Sequence, residues 1–203
     1  MSKKGKNILS KWHITAEDLT EVINANPSLR GMILGYLAEV KLRKEWLTDR
    51  RIKNVIKYDD HDRSRKGDWV ITYKRKQFIL EVKSLQTNTI KCDESGCKWS
   101  GKAQCDASDR RTIKFKDGSK LETTCLLVGE FDILAVNLFA FENKWRFVFA
   151  KNKDLSRSTF KKYSKTQRKN LLASLVEVTW PPSPPFKDDL FEVLDELIQE
   201  RKR

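Results

Sequence analysis

The stretch Phe131–Phe141 is strongly apolar, with only Asp132 and Asn137 as polar members. A run of this length crosses a core as a buried strand. Asn143-Lys144 turns it into a second strand, Trp145–Ala150. A buried strand needs other elements to cover it, and 203 residues supply them. At that length a domain hides about 70% of its unfolded surface, so neither disulfides nor a structural metal are required. Ten Phe and six Trp argue against disorder, although 34% of residues are charged. No apolar run approaches the ~18 residues of a membrane span. The N-terminus also lacks an apolar signal core, so a cytoplasmic protein is expected.

The net charge of +13 favours a polyanionic partner, of which nucleic acid is the commonest. The basic residues cluster. Residues 1–14 read as a basic arm, and 15–203 as one domain. Thr15 starts a helix with Glu17 and Asp18 in its first turn. A second helix is expected from Leu29 to Thr48, with Gly31 and Gly35 on a face that another backbone could approach. Asn54–Tyr58 reads as a short strand, and 59–67 as a polar loop. Residues 86–124 look like an insertion, with a tight hairpin at Asp117-Gly118. Helix is expected at Thr166–Leu172, strand at Ser174–Trp180, and an amphipathic helix at Lys187–Arg203.

Residues 68–83 read as a hairpin, with strands at 68–73 and 77–83 and a turn at Lys74-Arg75-Lys76. Three charged residues break its pattern. Asp68 opens the first strand, while Glu81 and Lys83 interrupt the second and share one face. An even number of connecting residues puts Asp68 on that same face. An odd number without a bulge puts it on the other, and no site forms. Two close carboxylates need a cation, and a hard ion such as Mg²⁺ suits them. Such an ion activates water and polarises phosphoryl oxygens, and Lys83 beside it would stabilise developing charge. Asp, Glu and Lys together in a basic protein suggest phosphodiester hydrolysis. A surface salt bridge at a hairpin end is the competing reading.

Asp68 followed by Glu81-Val82-Lys83 resembles the PD-(D/E)XK nuclease superfamily, with Gly67 where that motif often has proline. The helix Gly35-Tyr36-Leu37-Ala38-Glu39 and the element order strengthen the resemblance. So does Gly129–Asn137, which is similar to prokaryotic type II restriction endonucleases. The resemblance covers about residues 28–150. It implies an α/β (α+β) restriction-endonuclease-like core, a central mixed β-sheet flanked by helices, with 86–124 as a β-rich insertion. It implies metal binding by Asp68, Glu81 and the Val82 carbonyl, water activation by Lys83, and an auxiliary acid in Glu39. The implied activity is Mg²⁺-dependent, sequence-specific cutting of double-stranded DNA by a prokaryotic homodimer.

Other residues compete or assist. Asp132 could hold a metal, cap its strand or pair with an arginine, and Asp62 could replace Asp68. His61 and His13 are too few for a histidine-metal site. Cys92, Cys97, Cys105 and Cys125 could clamp one Zn²⁺, but free or core thiols suit their spacing better. Arg110 and Arg111 have the fork that matches a guanine edge, and Gln104 is another base-edge type. Lys114, Lys116, Lys161 and Lys162 suit phosphate contact. Either the 15–24 helix or the C-terminal helix could supply a dimer interface.

Overall fold

A computed structural model describes residues 7–58 and 66–202. The chain divides into two compact units, Met1–Leu37 and Ala38–Arg203. The first holds helices α1 (Ile8–Trp12) and α2 (Ala16–Ala25) and most of α3 (Pro27–Leu42). The expected arm is therefore helical over part of its length. Thr15 caps α2 in a reciprocal capping box with Asp18. A π-helical turn, Arg43–Leu47, continues α3. Gly31 and Gly35 have open space where a side chain would stand, so no backbone among the described residues approaches them.

The second unit is mixed α/β. Its strands are β1 (Ile52–Lys57), β2 (Trp69–Tyr73), β3 (Lys76–Ser84), β4 (Lys91–Cys92), β5 (Trp99–Gln104), β6 (Asp106–Lys114), β7 (Lys120–Cys125), β8 (Ile133–Asn137) and β9 (Phe147–Lys151). Helix α4 (Lys165–Asn170), strand β10 (Leu175–Trp180) and helix α5 (Leu190–Glu200) complete it. The central sheet has the order β1-β2-β3-β8-β9. It is antiparallel except where β3 and β8 run parallel.

Every residue of β8 is buried, as its apolar run requires. One face of the sheet packs Ile71, Phe78, Leu80, Ile133 and Phe149 against Ala38 and Leu42 of α3 and the apolar side of α5. The opposite face packs Leu134, Val136, Val148 and Ala150 against Ala103, Val176 and Val178. Those three belong to a second sheet of order β10-β5-β4. The insertion thus roofs one face of the central sheet, while helices cover the other. Leu190, Phe191, Val193, Leu194, Leu197 and Ile198 of α5 are all buried in the first of these cores. The apolar face of α5 is therefore occupied by the protein's own core. No helix is long and apolar enough to cross a membrane, among the described residues.

Candidate active site

The connection between β2 and β3 has two residues, Lys74 and Arg75, because Lys76 already pairs with Tyr73. Both adopt positive φ, at 46° and 65°. The three-residue turn expected from the sequence is therefore one residue too long. The even count carries through the ladder to Trp69 opposite Leu80. Asp68 itself lies outside β2, and its N–H reaches the Leu80 carbonyl one residue out of the ladder register, so Asp68 stands at the rim of β3 while Glu81 and Lys83 share one face of that strand.

Gly67 sets the approach to this point. Its φ is +72°, which proline cannot adopt. A Cβ there would lie 2.4 Å from Ile79 Cγ2 and 2.9 Å from the Leu80 carbonyl oxygen. The Asp68 N–H then donates to the same Leu80 carbonyl at 2.8 Å. The Asp68 carboxylate accepts the Val82 N–H at 2.6 Å, which orients it along the rim of β3.

The electrostatics are those of crowded acids. Burial, then Glu81 and then Glu39, push the Asp68 carboxyl up to about 8. Lys83 Nζ lies 2.7 Å from Glu81 Oε1. Burial alone would pull the Lys83 ammonium down, but Glu81 and Asp68 outweigh it and hold the ammonium above its ordinary value. Lys83 is therefore favoured as an ammonium beside Glu81. Glu39 on α3 is near enough to act on Asp68 and also pairs with Lys57 at 2.8 Å. Glu81, Glu39 and Lys83 thus all act electrostatically on Asp68.

A metal there would meet Asp68, Glu81 and backbone oxygen rather than a closed cage. Among the described residues, no three His, Cys, Asp or Glu side chains converge as a ready ligand set. A hard ion that keeps most of its water and takes one or two carboxylates suits such an open arrangement. Burial first, and the neighbouring carboxylates Glu81 and Glu39 after it, raise the Asp68 carboxyl.

The rival acids divide. Asp132 accepts the Ile79 N–H at 2.8 Å and pairs with Arg201, so it caps its strand and binds an arginine. Asp62 and His61 lie outside the described residues. His13 ends α1 in a left-handed conformation. The four cysteines are free and do not gather around one point: Cys92 and Cys97 are exposed, while Cys105 and Cys125 are buried. A four-thiolate zinc clamp is therefore not formed.

The expected DNA contacts also separate. Arg110, Lys114, Lys116, Lys161 and Lys162 are exposed. Gln104 is exposed too and accepts from Gln86 Nε2 at 3.0 Å. Arg111 is different. Its two terminal nitrogens grip Glu130, so its fork is engaged inside the protein. Sequence reasoning missed this pair, since nothing in the spacing of Arg111 and Glu130 marks them as partners. It also missed Cys105, which is buried near Lys83 and Glu81. Burial pushes that thiol up to about 12, although Lys83 acts the other way.

Comparison with known proteins returned nothing. No family model, no curated protein and no solved structure matches the chain.

Proposed function

We propose that the protein is a Mg²⁺-dependent DNA endonuclease with a restriction-endonuclease-like core of the PD-(D/E)XK kind, acting as a sequence-specific type II enzyme. The observation that supports this reading is that Glu81, Glu39 and Lys83 all act electrostatically on Asp68, with Lys83 Nζ 2.7 Å from Glu81 Oε1. The net charge of +13 supports a nucleic-acid substrate. Acids so close together would repel a phosphate backbone unless a cation lies between them.

On this reading Asp68, Glu81 and the Val82 carbonyl hold the ion, with Glu39 as a further acid. The chemistry supplied by the ion, when bound, is polarisation of a phosphoryl oxygen and a lowered pKa for its water. The Val82 N–H fixes one oxygen of Asp68, so that carboxylate is oriented before substrate arrives. Glu81 holds the Lys83 ammonium in place through their 2.7 Å contact. Lys83 then donates from Nζ to oxygen that gains negative charge as the P–O bond is cleaved. Arg110, Lys114, Lys116, Lys161 and Lys162 would contact the duplex, and Gln104 would read a base edge. A homodimer would match the two-fold symmetry of a duplex site, with α2 as the remaining helix proposed for its interface.

The test is incubation of supercoiled plasmid with Mg²⁺. Discrete fragments support the restriction reading, and cutting of branched DNA alone supports a structure-specific nuclease. DNA binding with no cutting leaves a binding protein. Lys83→Ala is expected to lower the cleavage rate by at least about 100-fold, from loss of one positioned charge donor. Its DNA affinity should be nearly unchanged, and retained cleavage would remove Lys83 from the mechanism.

A further inference from the structure

Glu130 lies just before β8 and is deeply buried, with its side chain 6% exposed. Burial raises its carboxyl, but Arg111 and the Leu127 N–H outweigh that and hold it below its ordinary value. It is therefore an ion. Its oxygens meet the Arg111 fork, the Leu127 N–H at 2.8 Å and Lys66 Nζ at 3.4 Å. Two cations thus share one carboxylate, and an excess of positive charge remains.

That excess has a definite address. Lys66 stands two positions before Asp68, and its side chain is 43% exposed. Arg111 is 23% exposed and lies within electrostatic reach of Glu81. The Nε–H of Arg111 is buried with no acceptor among the described residues. That buried donor cannot meet a ligand from solvent, and Nη2 also reaches the Cys125 carbonyl at 3.3 Å, so the donor left for an incoming oxygen is the second N–H of Nη1. A structural ion pair would need neither the second cation nor its exposure.

We propose that Glu130 holds Arg111 and Lys66 as a two-cation clamp for a phosphate of the DNA backbone next to the bond that is cut. The proposal rests on the nuclease reading for the words "next to the bond that is cut". Arg111 then fixes the backbone and reads no guanine. A planar guanidinium supplies directed donors to phosphate oxygens, whereas Lys66 supplies a point charge. Glu130 is a positioning residue, since it acts only through its two partners.

The experiment measures duplex DNA affinity against salt in EDTA, and single-turnover cleavage in Mg²⁺ at saturating protein. Lys66→Gln and Arg111→Gln should each lower the slope of log K against log salt by about 0.9. Each should also slow single-turnover cleavage roughly tenfold, equivalent to ~1.4 kcal/mol in the barrier. Arg111→Lys should keep the slope and still cleave slowly, because charge survives and the fork does not. Lys66 is half-exposed, so Lys66→Gln keeps the test valid if an Arg111 variant fails to fold. Wild-type slope and rate in Lys66→Gln and Arg111→Lys would overturn the clamp. Wild-type protein that binds but never cuts overturns the nuclease reading, while the slopes still decide whether the clamp exists. Absence of DNA binding overturns both.

Discussion

Gly67 shows how much one residue controls. Its positive φ and the 2.9 Å approach to the Leu80 carbonyl leave no room for a side chain. Gly67→Ala is expected to destabilise the fold by about 1–3 kcal/mol through strain and displacement. Because Asp68 follows directly, cleavage should fall further than stability does, as urea titration beside a plasmid assay would reveal. Asp68 carries its own signature. Burial and the neighbouring acids push its native carboxyl up to about 8 from an ordinary 3.8. Between those values the native state holds a proton that the unfolded chain has released, so this group's contribution to stability declines as pH rises from about 4 to 8. Asp68→Asn should therefore raise Tm by more at pH 8 than at pH 4, in thermal melts without metal. An equal shift at both pH values would contradict the raised carboxyl. Added Mg²⁺ competes with that proton, so it should raise the wild-type Tm most at high pH.

Among the elements, α5 has the largest structural duty. Leu194 is fully buried between α5 and the central sheet. Leu194→Ala is expected to cost about 2–5 kcal/mol, readable as a lowered urea midpoint. The oligomeric state at equal folded fraction should not change, since that face meets the protein's own core. The two strands of the site hairpin and the apolar β8 were legible because periodicity and burial agree within each segment. Glu81 and Lys83 stand out in the sequence as charges that interrupt the apolar strand β3. The sheet formed by β5 and β10 was not legible. Trp99–Gln104 contains Gly101 and Lys102, and its partner, Leu175–Trp180, is far away in the chain. Gly101 belongs there because Ile90 and Phe141 crowd it, with a Cβ falling 2.8 Å from Ile90. That is a tertiary reason which local pattern does not carry. The Arg111–Glu130 pair was hidden for the same reason.

For the whole molecule, the distribution of thiols reports on the packing of the insertion. Cys92 and Cys97 are exposed, while Cys105 is buried in the core between the central sheet and the β10-β5-β4 sheet and Cys125 in a small cluster with Ile113, Phe115 and Leu171. A chromogenic disulfide reagent should titrate two thiols in the native protein and four in denaturant. Early reaction of Cys105 would mean that the roof over Lys83 opens under native conditions. The basic excess is likewise unevenly used. Lys151 is surrounded by Asp154, Glu196 and Glu200, and Lys187 by Glu192 and Glu196. These cations hold α5 and are spent within the fold, whereas Arg110, Lys114, Lys116, Lys161 and Lys162 face solvent.

The turn at Lys74-Arg75 has a consequence for how such a gene can change. A strand alternates faces at each residue, so losing or gaining one codon there turns Trp69 and Ile71, which lead into Asp68, away from the helix-covered core, while a change of two restores them. Length variation at this loop is therefore filtered by parity. Among descendants of this chain that keep the site, its length should drift in steps of two.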